Sequence, residues 1–265
     1  MCIRDRSYFA HYFKTKEYRR KVSNLAAGAN INNLRNGDLD ELLIPVPPLQ
    51  EQKRIAKILD AADALRAKRR ESLAQLDALL QSTFLDLFCD IEESASIGDL
   101  LDRGVLVLHK DGNHGSLYPR ANEFGEVGIS FLSARCISDD GNLISSEVQF
   151  LNEEKARKLR IGWLQDGDVL LAHNASVGKT GLYRGEFGEA LIGTSLTAFR
   201  PNQEALDPAY LLGALRSTEF QQQLFANMGQ TTRNQVPITA QRRLSIPFPP
   251  IDLQQRFASI VNLIE

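Results

Sequence analysis

An internal repeat is the feature of this sequence that most constrains its fold. The segment Ile44–Ala56 (IPVPPLQEQKRIA) recurs 202 residues later as Ile246–Ala258 (IPFPPIDLQQRFA). The same offset continues upstream without a gap and aligns Tyr8 with Tyr210. Chance proline clusters are common, but an ungapped match of this length is not, so both copies should fold alike. Each copy predicts a helix, a polar loop, a short strand, a proline-rich bend and a new helix.

A long helix is predicted directly after the first bend. Pro47 and Pro48 cannot continue a helix and favour an extended approach to it. From Gln50 to Phe88 the chain has no Gly or Pro and is rich in good helix formers. Its apolar residues recur at spacings of three and four and form a narrow stripe, which predicts a coiled coil. The second copy supplies a candidate partner helix that starts at Leu253. A long solvated surface helix is the alternative.

The region that follows this helix predicts one domain of mixed helix and strand. Its short strands are predicted at Val105–Leu108, Gly128–Leu132, Asp168–Ala172, Thr180–Tyr183 and Thr194–Phe199. Its helices are predicted at Glu153–Leu159, with Asn152 as N-cap, and at Ala209–Ala226, with Asp207-Pro208 at the start. The predicted fold class is therefore α+β, with a mixed domain joined to a long coiled-coil spacer helix.

The chain is expected to be a fragment that is truncated at both ends. Its first six residues match a translation of a transposase end sequence used in preparing sequencing libraries, and we expect them to be non-native. A genuine short N-terminus is the alternative. The remaining segments are predicted to be the tail of a mixed domain, a long helix, a whole mixed domain and the start of a second long helix, at 7–49, 50–89, 90–250 and 251–265.

Bulk composition narrows the classes of function. The formal net charge of −2 is nearly neutral, which disfavours a free-standing, non-specific nucleic-acid binder. No apolar run approaches the roughly 18 residues of a membrane span. The three cysteines have no metal-ligand spacing, which predicts free thiols in a reducing cytoplasm.

Three strings look like catalytic motifs but are assigned structural roles. Val177–Thr180 ends like a phosphate-binding loop, but His173 stands where that motif needs Gly, so a turn between strands is predicted. Asp207–Tyr210 resembles the Asp/Asn-Pro-Pro-Tyr of DNA amino-methyltransferases, but an N-cap followed by Pro explains it. Glu153–Lys155 with upstream acidic residues would imitate a nuclease site, but acidic residues are common in a first helical turn. The sequence predicts no catalytic residue and no metal site.

The segment Ile44–Ile55 is similar to the hallmark that ends a target-recognition domain in the DNA specificity subunits of type I restriction–modification systems. Further stretches resemble the same family's domain pattern, in the same order: Ile97–Leu100, Asp111–His114, Gly128–Leu132, Gly167–Leu171 with Ser176–Lys179, and Gly229–Thr232. The resemblance covers the chain from Ser7 to its end.

This resemblance implies non-catalytic, sequence-specific recognition of double-stranded DNA. The family has two recognition domains, each followed by a long helix, and each domain reads one half of a split site. The two helices pair as an antiparallel spacer whose length fixes the unread base pairs. The implied partners are methyltransferase subunits, which bind S-adenosylmethionine, and motor-nuclease subunits, which use ATP and Mg. The chain itself is expected to hold no cofactor.

Eight polar or basic loop side chains are predicted to contact DNA. Base-edge hydrogen bonds read sequence, whereas phosphate contacts position the protein. Base edges are assigned to Asn113, His114, Gln230, Arg233 and Asn234, and the DNA backbone to Lys110, Arg135 and Lys179. The alternative for each is a solvated loop side chain.

Three other functions remain open from the sequence. The chain would also fit the recognition tail of a fused enzyme that both methylates and cuts DNA. A half-size specificity subunit that dimerises to restore two recognition domains is a second possibility. A coiled-coil interaction protein with no role in DNA binding is a third. A methyltransferase cofactor loop upstream in the same reading frame would favour the fused enzyme.

Overall fold

The computed structural model describes residues 5–25, 42–228 and 234–264. It divides into two compact units, Met1–Gln75 and Leu76–Glu265, and each is described by itself below. The first unit contains helices α1 (Arg6–Phe13) and α2 (Lys16–Leu25) and the start of α3 (Leu49–Phe88), which continues into the second unit.

The first unit is held by buried tyrosines and by hydrogen bonds to the start of α3. Tyr8 and Tyr12 are buried, and the Tyr8 hydroxyl donates to the Pro45 carbonyl at 3.0 Å. Asp5 caps α1, because its Oδ1 accepts from the Tyr8 amide at 3.0 Å. Asp5 lies among the six residues that we expect to be non-native, and that expectation stays a prediction.

The second unit contains three small sheets and several helices. In chain order its elements are β1 (Ser94–Ser96), α4 (Ile97–Asp102), β2 (Leu106–Asp111), β3 (Phe124–Gly125), β4 (Ile129–Leu132), β5 (Gln149–Leu151), α5 (Glu153–Ala156), β6 (Val169–Ala172), β7 (Thr180–Leu182), β8 (Ala190–Ile192), β9 (Leu196–Pro201), α6 (Pro208–Arg216), α7 (Thr218–Ala226), α8 (Ile238–Gln241), β10 (Ser245–Pro247) and α9 (Ile251–Ile264).

Two four-stranded sheets form the body of the second unit. The first has the order β2-β9-β6-β7 and is antiparallel throughout. The second has the order β3-β5-β4-β8, in which only the β4–β8 pair is parallel. Strands β4, β6 and β8 are buried on both faces, and β6 and β8 are continuous apolar runs. The third sheet pairs β1 with β10.

The end of α3 packs into the main core of the second unit together with α6 and α9. The ring centroid of Phe84 lies 5.4 Å from that of Phe257, and Phe88 lies 4.9 Å from Tyr210. Gly213 on α6 permits this approach, because a Cβ there would lie 2.8 Å from the Phe257 ring. The predicted contact between the long helix and the helix after the second bend is therefore present in this unit.

The predicted elements are largely confirmed, with shifted bounds. The mixed α+β class and the long helix are as predicted, and the helix spans Leu49–Phe88. All five predicted strands are present as β2, β4, β6, β7 and β9. The single helix predicted at Ala209–Ala226 is wrong, because Ser217 ends α6 and its Oγ caps α7 by accepting from the Phe220 amide at 3.2 Å. The helix predicted to reach Leu159 ends earlier, at Ala156.

Candidate nucleic-acid interface

Several loops of the second unit meet at one end of the β2-β9-β6-β7 sheet. Strand β2 ends where β9 begins, since Asp111 pairs with Thr197. Strand β6 ends at the same level, since Ala172 pairs with Leu196. We call this end the loop edge, and its segments are 110–114, 133–136, 160–162, 173–179, 193–195 and 234–236.

Backbone hydrogen bonds tie these segments to one another. The Ser195 carbonyl accepts from the His173 amide at 3.1 Å, while the Ser195 hydroxyl accepts from the Ala134 amide at 2.9 Å. The Gly162 carbonyl accepts from the Ile192 amide at 2.9 Å. Residues that are distant in sequence therefore share one rigid edge, as a recognition surface built from loops requires.

The turn between β6 and β7 braces the segment that begins at Asn234. The Ala175 amide donates to the Asn234 carbonyl at 3.3 Å, and the Val236 amide donates to the His173 carbonyl at 2.9 Å. Ala175 has a φ of 64°, in the left-handed region that a non-glycine residue rarely adopts. These hydrogen bonds on both sides of the turn hold that strained conformation in place.

Two buried histidines support the loop edge from beneath. His109 Nε2 lies 3.1 Å from Gln241 Oε1, and the Gln241 amide nitrogen donates to the Val236 carbonyl at 3.0 Å. His173 Nδ1 lies 2.9 Å from the Thr197 hydroxyl. Burial lowers the pKa of His109 to about 4 and also lowers the pKa of His173. Both rings are therefore neutral at pH 7 and act as hydrogen-bonding supports rather than as charges.

Lys110, Arg135 and Asn234, which were predicted to contact DNA, are exposed at the loop edge. Lys110 and Arg135 form no ion pair with any described residue, so both charges are available to a ligand. His114 is also exposed there, and its Nε2 lies 2.6 Å from Asp111 Oδ2.

The other four predicted DNA-contacting residues are placed differently. Asn113 is buried, and its amide nitrogen donates to the Ile161 carbonyl at 2.7 Å, so it anchors the loop rather than presenting an edge to solvent. Lys179 pairs with Asp139, with Nζ 2.8 Å from Oδ1. Gln230 and Arg233 lie outside the described residues. None of these placements tests DNA contact, which stays a prediction for all eight.

Arg160 is a loop-edge residue that the sequence analysis missed. It is exposed and forms no ion pair with the described part of the chain. The sequence placed it just after a helix, with nothing to indicate its surroundings. The structure brings it to the edge because Asn113 binds the neighbouring Ile161 carbonyl. Lys110 at the end of β2, Arg135 and Arg160 thus present three exposed cations from three different segments.

The strings that resemble catalytic motifs take the predicted structural roles. Val177–Thr180 lies in the turn into β7, where the Thr180 hydroxyl accepts from Arg216 Nε at 3.1 Å. Asp207 caps α6 by accepting from the Ala209 amide at 2.8 Å. Within the described residues, no group of three or more His, Cys, Asp or Glu side chains is arranged to hold a metal ion. In the same part of the chain, no helix is long and apolar enough to cross a membrane.

Comparison with known proteins finds similarity to one family. Residues 3–76 match the family described as type I restriction modification DNA specificity domain. The chain is 30% identical to the type I restriction enzyme EcoKI specificity subunit of Escherichia coli K12, over 97% of this chain and 57% of that protein. It is 26% identical to the MjaVIII specificity subunit of Methanocaldococcus jannaschii, over 99% of this chain and 65% of that protein.

Solved structures share the fold. The S subunit of a type I restriction–modification system from M. genitalium matches with a TM-score of 0.57 and 19% identity, over 99% of this chain and 66% of that one. The HsdS subunit from Thermoanaerobacter tengcongensis matches with a TM-score of 0.50 and 20% identity, over 99% of this chain and 63% of that one. The chain is therefore similar, along nearly all of its length, to type I restriction–modification specificity subunits, and it spans about three fifths of the length of these relatives.

Proposed function

We propose that this chain recognises double-stranded DNA by sequence, as a specificity component of a type I restriction–modification complex, and that the loop edge is the surface that reads one half-site. The convergence of six segments at one end of a sheet, with three exposed cations among them, is the observation that supports this function most directly. Similarity to type I specificity subunits over nearly the whole chain supports it independently.

Charged side chains and hydrogen-bonding side chains of the loop edge contact different parts of the DNA. Lys110, Arg135 and Arg160 contact phosphates and set the register of the protein on the duplex. His114 and Asn234 present hydrogen-bonding groups beside them, as base-edge readout requires. Residues 91–207 carry more acidic than basic side chains, so the isolated chain binds weakly and gains affinity from basic partner subunits.

The chemistry of restriction and modification belongs to partner subunits in this proposal. A methyltransferase subunit that binds S-adenosylmethionine docks on the long helix α3, and a motor-nuclease subunit that uses ATP and Mg joins through the complex. The chain contributes recognition and no catalytic group, and the complex acts on DNA in the cytoplasm. Two of the motif-like strings support this division, since Thr180 and Asp207 form hydrogen bonds within the fold.

The salt dependence of DNA binding tests the role of the three cations. Each phosphate contact that is lost should reduce the slope of log K against log salt by about 0.9. We expect this reduction for Lys110→Ala, Arg135→Ala and Arg160→Ala, each in the full chain with its methyltransferase partner. Arg184→Ala is the matched control, because Arg184 is exposed beyond the opposite end of β7. Slopes that equal the parent slope in all three variants would refute the assignment.

A further inference from the structure

The second bend is closed by a ring of hydrogen bonds around one buried glutamine. Gln254, in the first turn of α9, is fully buried. Its Oε1 accepts from the Asp207 amide at 2.9 Å, and its Nε2 donates to the Pro249 carbonyl at 2.8 Å. The Tyr210 hydroxyl donates to the Pro247 carbonyl at 2.6 Å, and Asp207 Oδ1 accepts from the Tyr210 amide at 3.1 Å. We call this ring the latch.

The first bend is closed by the same ring, residue for residue. Gln52 is also fully buried, and its Oε1 accepts from the Asp5 amide at 2.9 Å. Its Nε2 donates to the Pro47 carbonyl at 2.7 Å. The Tyr8 hydroxyl donates to the Pro45 carbonyl at 3.0 Å, and Asp5 Oδ1, in the segment that we expect to be non-native, accepts from the Tyr8 amide. The bonds of Gln52 go to backbone groups of Asp5 and Pro47, so they do not depend on the Asp5 side chain. Two latches therefore form in two separate units with nearly equal distances.

Glutamine occupies the same position in both copies of the repeat, whereas the residues on either side of it differ between the copies. Glu51 and Lys53, which flank Gln52, correspond to Leu253 and Gln255 in the second copy, so charge and polarity change around a constant residue. A buried amide is costly unless both of its polar ends are bonded. The latch bonds both polar ends of the amide by joining three segments. These are the N-terminus of the first helix of each copy, the proline bend and the first turn of the helix that follows the bend.

We infer that Gln52 and Gln254 are positioning residues that set the angle at which α3 and α9 leave the packed segments that precede them. The packing of Leu253, Phe257 and Val261 resists separation of α9 from the core, but apolar contacts are non-directional and do not by themselves fix the direction of the helix. Hydrogen bonds are directional, so those of the latch fix the helix direction that apolar packing leaves free. They do so because Oε1 and Nε2 of the glutamine must both be bonded at once. This inference rests on the proposed function for its purpose, since helix direction sets how a recognition surface is held on DNA.

The latch and the loop edge lie at opposite ends of strand β9. Strand β9 begins at the loop edge with Leu196 and ends at Pro201, and the latch residue Asp207 follows that distal end. A change in the latch should therefore alter helix direction while leaving the DNA-contacting loops intact. That separation allows the latch and the recognition surface to be tested independently.

The test is a pulsed electron–electron distance measurement on the full chain without DNA. Spin labels are attached at Val107→Cys on β2 and Asn262→Cys on α9, both exposed positions of the second unit. Cys2→Ser and Cys89→Ser remove competing thiols, while Cys136 is buried and burial raises the pKa of its thiol, which keeps it unlabelled. Gln254→Met removes the three side-chain hydrogen bonds of Gln254, to Asp207, Pro249 and Ala205, at similar volume. Gln255→Met is the matched control, since Gln255 is exposed on the same turn.

We expect Gln254→Met to broaden and shift the distance distribution, and Gln255→Met to reproduce that of the parent. An unchanged distribution in a folded Gln254→Met chain would overturn the inference, even if its melting temperature fell. If Gln254→Met does not fold, Tyr210→Phe carries the test, because it removes one hydroxyl: broadening supports the latch and an unchanged distribution refutes it. Failure of the parent chain to select DNA would count against the proposed function alone, since the distances are measured without DNA.

Discussion

Acidification should destabilise the second unit through His109, the buried ring beneath the loop edge. Burial lowers the pKa of His109 from its ordinary value of 6.5 to about 4 in the folded chain. The unfolded chain therefore binds more protons than the folded chain between these two values. Stability is fully present above pH 6.5 and falls as the pH drops through this window.

The size of the effect follows from the two pKa values. At pH 5 an unfolded histidine is almost fully protonated, whereas folded His109 is still largely neutral. Linkage then gives a loss of about 2 kcal/mol at pH 5 and about 3 kcal/mol at pH 4, relative to pH 7. His173 adds to this loss in the same direction, because burial lowers its pKa too.

Urea unfolding at pH 7 and pH 5 measures this loss, followed by the fluorescence of Trp163, the single tryptophan of the chain. His109→Gln keeps an amide that can donate to Gln241 but removes the titration. We expect the difference in unfolding free energy between the two pH values to shrink by about 2 kcal/mol in this variant. His114→Gln is the control, because the His114 side chain is 63% exposed. An equal pH dependence in His109→Gln and the parent chain would refute the reasoning.

Two further predictions concern the stability of the second unit, each measured by urea unfolding. Asp168→Asn should cost about 3 kcal/mol, since it leaves Arg200 without the fully buried carboxylate that it now contacts at 2.7 Å; a loss no larger than that of the exposed control Asp166→Asn would contradict this. Ala175→Gly should raise stability by about 0.5 kcal/mol, because glycine adopts a φ of 64° without strain. A fall in stability on that substitution would show that the turn is not strained.

The repeat made the long helix and its proline bends predictable from sequence. Proline restricts its own backbone and that of the preceding residue, so the bend before Leu49 is a local property. Helix α3 needs only the absence of breakers and a run of good helix formers. The split at Ser217 is also a local feature, since serine is a favoured N-cap residue and Glu219 lies in the first turn after it. The apolar pattern continues on both sides of Ser217, and that pattern predicts a single helix.

The loop edge was only partly predictable, because it depends on pairing between distant strands. The sequence identified the loops that carry Lys110 and Arg135 but not the register that brings them to one end of a sheet. Arg160 joins them because Asn113 binds the Ile161 carbonyl and because residues 162–164 run beside β8, as the Trp163–Leu191 bridge shows. The amide of Asn113 looked like a base reader, yet burial commits it to the Ile161 carbonyl. Such long-range contacts leave no periodic signal in the sequence.

Selection from a randomised library of double-stranded DNA tests the central claim most directly. The full chain, with its methyltransferase partner, is mixed with the library at moderate salt, and the shifted DNA is sequenced. We expect enrichment of one short run of specified base pairs. We also expect the preferred base pairs to change when loop-edge residues such as His114 and Asn234 are replaced by Ala. Binding with no enriched run, or an enriched run that the loop-edge variants leave unchanged, would contradict sequence-specific recognition by the loop edge.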